Sequence, residues 1–476
     1  MTEITKSITY LKEYRQLKEA LLAGRTPLLA VGLSPIHKAH LAAALGLDTG
    51  RPVLVLTDDD SAAARFSADL QGFAEKPVLQ LPARDLVMVD VVGVSRGYEQ
   101  KRLAVLDALP SAPFAVASVQ AALQRTLPPE ALESAVVTIA AGEEAPLDGL
   151  AQQLTRAGYE RCIQVEGAGQ FSVRGGILDV FPPQAGHPYR VEFWDDEVDS
   201  IATFDVGSQR RLEQVEALRC LPCMETLPHL APGGVNGLAK AVRGTLSTRR
   251  KKHKDLAANI ERDAERLEQT GSLPAADKYL PLVYPELATA LDYLPENAIV
   301  LIEDTPRLRD AARDFHARIG DDVTALLERG EMPPGLDGYA LDFAGLSRVP
   351  RAILRLDSFL NNVPELAPQH LENFIANQMN AYGGNLDMAA ADIQGYTRQG
   401  RAVAVVCGSQ LRCRNMRDAL TEAGLKAEIS DLLPKAGQIS ILEGTLSAGF
   451  EYPDLGLVVI TEGQVLARRK KAPPKR

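Results

Sequence analysis

Between residues 27 and 117 the chain alternates short apolar runs with longer amphipathic ones, and few folds accept that pattern. Pro27–Leu33 (PLLAVGL), Pro52–Thr57 (PVLVLT), Pro77–Leu81 and Phe114–Ala117 have strand length and little polar alternation, which predicts strands covered on both faces. Ala39–Leu45, Ser61–Phe73 and Arg96–Ala108 lie between or beside them with helical spacing, and Tyr10–Ala23 precedes them as a further helix. Doubly covered strands joined by crossover helices make a parallel sheet with helices on its faces. This first unit closes near Pro128.

In such a sheet the turn after the first strand is the usual place for a bound phosphate. A working phosphate loop reads G-x-x-x-x-G-K-[ST]. The chain reads Gly32-Leu-Ser-Pro-Ile-His37-Lys38-Ala39. Gly32 and Lys38 keep their places. His37 puts a ring where backbone must approach phosphate closely, Ala39 lacks the hydroxyl that holds Mg²⁺, and Pro35 removes an N–H donor. The loop reads as a degenerate P-loop in a RecA- or helicase-like domain, a strand–turn–helix that keeps its shape with no cofactor. The alternative is a weak ATP- or DNA-binding enzyme domain that still uses this loop. A helicase-type ATPase would also carry an Asp-Glu pair after a later strand. Ala298–Ile302 is followed instead by Glu303-Asp304-Thr305-Pro306, the reverse acidic order with proline in place of histidine. That quartet reads as the start of a helix over Arg307–Arg318, with Asp304 or Thr305 as its cap and Pro306 at the first helical position.

Val136–Glu213 has a different texture. A strand (Val136–Ala140) and a helix (Leu147–Ala157) ended by Gly158 lead into two strands, Ser172–Phe181 and Tyr189–Asp195, around a Pro182–Pro188 turn. An α+β insert is expected. Arg174 and Arg190 flank its hairpin-like unit, and Phe193 and Trp194 sit beside Asp195, Asp196 and Glu197. Arginine and aromatic side chains on a rigid sheet are the material of a protein-binding hot spot. Structural roles compete with that reading. Phe193 and Trp194 face opposite ways on a strand, so Phe193 is also a core candidate, and Arg174 has Asp195 and Asp196 as candidate partners.

From Leu221 the α/β pattern resumes. Thr245–Thr270 reads as a long helix that opens with the basic run Arg249–Lys254 and continues with Glu261, Asp263, Glu265 and Glu268. The mixture reads as a solvated face, with a DNA-phosphate patch as the competing reading. Leu336–Asn361 reads as a connection, and Pro368–Ala381 and Asp387–Gln399 as helices. Arg401–Cys407, Lys426–Ile429, Gln438–Leu442 and Gly456–Ile460, with the helix Ser409–Ala423, then form a separate small α/β domain. Ala467–Arg476 (ARRKKAPPKR) reads as a basic linker.

Bulk properties narrow the function classes. The net charge of −10 argues against tight, nonspecific nucleic-acid binding by the chain as a whole. Five cysteines, an odd and sparse set in 476 residues, argue for a reducing, cytoplasmic setting. Cys220-Leu-Pro-Cys223 has no second pair and only His229 nearby, so no metal site is expected. No apolar run reaches the ~18 residues a bilayer span needs, and the first residues lack a signal-peptide core, so no membrane partner is expected.

Three segments carry a family resemblance. SVRGGILDVFPP…PYRVEFWDDEVDSIATFDVGSQR, the P-loop-like strand–turn–helix and YLPENAIVLIED together resemble the bacterial transcription-repair coupling factor (Mfd) family in its N-terminal half. EGTLSAGFEYPDLGLVVITEGQVL resembles the end of that family's third domain. The most specific part, R-G-x-x-[IL]-D-[IV]-F-P, is shared with the excision-repair protein UvrB. The resemblance implies a UvrB-like α/β domain over 1–133 and 223–345, split by a UvrA-binding-type domain over 134–222. A third domain over 346–465 and a linker over 466–476 would follow. It implies a UvrA contact through Arg174, Arg190 and Trp194, with Phe193 adjacent. It implies no catalytic residue, cofactor or metal in this part of the family protein. RNA polymerase and DNA would be engaged mainly by regions absent from this chain, including a translocase motor that uses ATP and Mg. UvrB's long tyrosine-rich hairpin has no counterpart, because the equivalent interval, Pro82–Ser95, contains no aromatic residue.

Overall fold

The computed structural model describes residues 1–90, 96–246, 254–379 and 381–465. The linker and Arg249–His253 of the basic run lie outside the described residues. The helix Lys254–Thr270 begins at the end of that run, and the preceding helix, Gly234–Gly244, is a separate element.

Seven strands form one sheet, in the order His370–Asn373, Leu28–Val31, Ala352–Leu356, Ile299–Glu303, Val53–Thr57, Phe114–Ser118, Leu79–Leu81. Every adjacent pair is parallel. The inner strands are buried along their length, which is why their sequences show continuous apolar runs rather than alternation. The two strands at the centre, Ala352–Leu356 and Ile299–Glu303, come from the far side of the insert and separate Leu28–Val31 from Val53–Thr57. The first unit cannot complete its sheet alone.

This topology corrects two expectations. The segment read as a connection contains the strand Ala352–Leu356, and the helix expected over Pro368–Ala381 is instead the edge strand His370–Asn373 and a short strand, Asn377–Gln378. A boundary at 345/346 therefore cuts through the large sheet, which continues to Asn373. The local apolar spacing of that segment is overridden by pairing with the free edge of Leu28–Val31.

The insert is closed at its base by an antiparallel pair, Val137–Ala140 with Ala217–Cys220, through which the chain enters and leaves. Beyond it lies a six-stranded sheet in the order Arg211–Val215, Glu197–Phe204, Tyr189–Trp194, Ile177–Val180, Gln170–Arg174, Glu160–Arg161. The helix Leu147–Arg156 covers one face with Leu150, Ala151 and Leu154, and Phe171, Leu178, Val191, Val198 and Ile201 come up to meet it. Cys220 and Cys223 are buried in this core, and burial raises the Cys220 thiol to about 12.

A third sheet, centred on Ala402–Cys407, holds the last strands. It is not a separate body. Ala404, Val406, Leu442, Phe450, Tyr452 and Val459 share one continuous core with Ile4, Leu17, Ile36, Leu41 and Phe73 of the N-terminal helices. Asp69 accepts from the Ser447 backbone N–H at 2.7 Å and its hydroxyl at 2.6 Å across this junction.

A buried ionic cluster ties the large unit together where the chain returns from the insert. Arg84 donates to Glu225 at 2.9 Å and to Asp277 at 2.6 Å. Arg102 lies 3.1 Å from Glu225, and Thr126 donates to the other Glu225 oxygen at 2.5 Å. The Glu225 backbone N–H donates to Glu99 at 2.7 Å.

Gly72 lies inside the helix Asp60–Ala74, and a Cβ there would sit 2.2 Å from the Thr445 carbonyl oxygen of the third sheet. Helix propensity alone makes Gly→Ala stabilising by about 1 kcal/mol. The close approach reverses the sign: Gly72→Ala is expected to destabilise the chain by about 1–3 kcal/mol in urea unfolding. A raised urea midpoint would refute the fusion of the two sheets through this contact.

Candidate functional site

The face of the insert sheet opposite the covering helix is built by cross-strand pairing. Ser172 pairs with Asp179, Asp179 with Arg190, Arg174 with Ile177 and Ile177 with Glu192. Residues opposite one another share a face, and every second residue of Tyr189–Trp194 joins them. Arg174, Asp179, Arg190, Glu192 and Trp194 therefore lie on one face, away from the helix. Phe193 pairs with Val198 and packs on the core side. It is the member of the predicted set that does not join the others.

Asp179 organises this face. Its carboxylate is buried and accepts three charge-assisted hydrogen bonds. Arg190 reaches one oxygen through Nε at 2.7 Å and the other through Nη2 at 2.8 Å, and Arg174 Nη2 meets that second oxygen at 2.8 Å. The bidentate geometry fixes the Arg190 plane. Its guanidinium also lies 4.5 Å over the Phe204 ring and donates to Gln209 Oε1 at 3.2 Å. The bonds to Asp179 push the Arg190 pKa further above its ordinary value. The partner of Arg174 is thus Asp179, not Asp195 or Asp196. Asp179 itself is the aspartate of the R-G-x-x-[IL]-D pattern, so the signal was in the motif while its role was not.

Exposure separates the two arginines. The Arg190 side chain is only 16% accessible and that of Arg174 is 49% accessible. Trp194 is 80% exposed, and its position explains why. Two tight turns, Gly175-Gly176 and Asp195-Asp196, end neighbouring hairpins, with Gly175 at φ +60° and Asp195 at φ +58°. Continued through Ile177–Glu192, the register sets Trp194 opposite Gly175, which has no side chain to cover an indole. Glu192 is held by Arg211 and by Ser200 at 3.3 Å. Ile163, which the sequence reading did not single out, is 89% exposed beside this face, its carbonyl bound by Ser172 at 2.8 Å.

The phosphate-loop candidate has a different environment. The helix starts at Pro35, four residues earlier than its apolar pattern suggested, so His37, Lys38 and Ala39 lie within its first turns and point inward. Lys38 Nζ lies 3.8 Å from Glu303. Burial raises the Glu303 carboxyl, with Lys38 opposing. Gly32, at φ +82°, is covered: a Cβ there would meet the Phe374 carbonyl at 2.2 Å. His37 packs 5.4 Å from Phe450 and 5.1 Å from Tyr452 between ring centroids. Asp304 is the N-cap residue of the helix Thr305–Glu328, as expected, but its side chain makes no capping bond. Asp357, held by the buried Arg355, accepts the Thr305 N–H at 2.7 Å. Pro306 occupies the first turn as expected. Among the described residues, no group of three or more His, Cys, Asp or Glu is arranged to hold a metal ion. No helix among them is long and apolar enough to cross a membrane.

Comparison with known proteins first defines the class. The family described as the UvrB interaction domain matches residues 137–225, the insert and the first residues after it. The wider match is to transcription-repair-coupling factors. That of Bacillus subtilis is 29% identical over 98% of this chain and 41% of its own length. That of Staphylococcus epidermidis is 27% identical over 97% and 40%, and that of Staphylococcus aureus (strain MRSA252) 25% over 100% and 41%. The resemblance read from the motifs therefore holds along nearly the whole chain, which spans about two fifths of the length of these curated relatives.

His37 and His40 generate a pH prediction. Burial lowers both imidazoles to about 3. The unfolded chain, with pKa near 6.5, then binds more protons between pH 6.5 and 3, so stability falls as pH falls through that window. Each neutral histidine is expected to cost about 2 kcal/mol on going from pH 7 to pH 5. Urea midpoints measured against pH should show a shallower loss in His37→Leu and in His40→Gln. An unchanged slope in both would exclude these residues as its source.

Proposed function

We propose that the chain is a non-catalytic, UvrB-like platform that recruits UvrA in transcription-coupled nucleotide excision repair. Docking would use the insert face that carries Trp194, Arg174 and Arg190. The observation that carries this reading is Trp194, a bare indole held at the end of two rigid hairpins beside an accessible guanidinium. Aromatic and arginine anchors on a preorganised surface lose little conformational entropy on binding, which is what makes them hot spots. In a cytoplasmic family protein of this kind, RNA polymerase, DNA and an ATP-driven motor would belong to regions beyond this chain.

A platform role fits the phosphate-loop candidate better than nucleotide binding does. The lysine that would meet phosphate faces Glu303, and the glycine that would let backbone approach faces the Phe374 carbonyl. Both groups are engaged by the chain's own residues.

The test is a titration of UvrA onto the chain by calorimetry. Trp194→Ala and Arg174→Ala are each expected to weaken binding by about 2 kcal/mol, roughly thirtyfold. Trp194→Ala removes only an exposed side chain, while Arg174→Ala also removes one of the three bonds to buried Asp179 and needs a circular-dichroism control. Arg190→Glu would set a second carboxylate against buried Asp179, so it needs the same control. Wild-type affinity in both exposed-residue variants would remove the assignment.

A further inference from the structure

A second site lies at the opposite end of the large sheet from the degenerate loop. Gly32 follows the strand Leu28–Val31, whereas Arg351 precedes its parallel neighbour, Ala352–Leu356. Arg351 lines a cavity of about 210 Å³ together with Arg125, Arg348, Thr289 and Asp292. Arg125 and Arg351 spend their terminal nitrogens on carbonyl oxygens, not carboxylates. Arg125 Nη1 reaches Leu287 at 2.8 Å, and Arg351 reaches Leu294 at 2.7 Å and Pro350 at 2.9 Å. Their positions are fixed while their charges stay uncompensated. The Nε–H of each is buried without an acceptor. Arg348, exposed at the rim, makes no ion pair with the described residues. The one carboxylate on the wall, Asp292, is occupied through Oδ2 by the Thr289 N–H at 2.7 Å and hydroxyl at 3.0 Å.

Three guanidiniums against one carboxylate leave a formal charge of about +2, and a phosphate monoester carries about −1.5 to −2 at neutral pH. Its several oxygens could accept from the Nη hydrogens that Arg125 and Arg351 do not spend on carbonyls, and from Arg348, together. A concave cavity of about 210 Å³ suits a terminal phosphoryl group and a small organic remainder. It does not suit a duplex, which needs a run of basic side chains along its backbone. We infer that this three-arginine cavity is a binding site for a small phosphate monoester.

The experiment is calorimetric titration of the phosphate-free chain with glycerol 3-phosphate at constant ionic strength, with glutarate and a short duplex as comparison ligands. The expected result is saturable binding of glycerol 3-phosphate, about tenfold or more weaker in Arg348→Gln and weaker still in Arg351→Gln. Arg348 makes no internal ion pair, so its variant keeps the question decidable if Arg351→Gln does not fold. Absence of binding, wild-type affinity in Arg348→Gln, or equal binding of glutarate would each overturn the inference. Tighter, Arg348-dependent binding of the duplex would overturn it in favour of a backbone phosphate.

Discussion

The cluster around Arg84 and Glu225 is the constraint on which the large unit depends. Burying these ions costs several kcal/mol each, and only mutual pairing with further hydrogen bonds offsets that. The pairing partners come from Arg84, Glu99 and Arg102 before the insert and from Glu225, Thr226 and Asp277 after it. Glu225 is the point of return: its side chain takes both arginines and Thr126, its N–H goes to Glu99, and its carbonyl accepts from Tyr284 at 2.9 Å. Few other placements of the returning chain would satisfy so many buried groups. The insert therefore leaves and re-enters its host at a defined place.

The same logic of a buried carboxylate held by two arginines recurs at smaller scale on the insert. Asp179 pins Arg190 and steadies Arg174. Among what is presented to solvent are one indole, one guanidinium edge and, beside them, Ile163. Host and insert thus divide the work. The host supplies rigidity through charges hidden from water, and the insert supplies a small exposed surface whose side chains are already in place.

Much of this was legible in the sequence, and the failures have specific causes. The strands of residues 28–118 announced themselves because doubly buried strands need continuous apolar runs. Ala352–Leu356 did not, because its fourth residue is Arg355, a charge that a sequence reader places outside. In the fold that arginine is buried against Asp357, Thr305 and the carbonyls of Leu366 and Asn361. His370–Asn373 alternates as an edge strand, but it is only four residues long and was overruled by helical spacing around it. On the insert, the shared face of Arg174, Arg190 and Trp194 could not be read before the register was known, since a slip of one residue reverses every side chain. Asp179 was missed as their partner for the same reason. The fusion of the last sheet to the N-terminal helices left no local trace, because apolar residues facing their own domain look the same as those facing another.

The interleaved order of the large sheet has a consequence for synthesis. Leu28–Val31 and Val53–Thr57 leave the ribosome early, yet the strands that must lie between them end only at Glu303 and Leu356. At about 5–20 residues per second, the interval is on the order of ten to sixty seconds. The insert, whose strands pair mostly with their sequence neighbours, closes within that time. A nascent chain would thus display a finished insert on an unfinished host, with apolar strand edges open and available to chaperones.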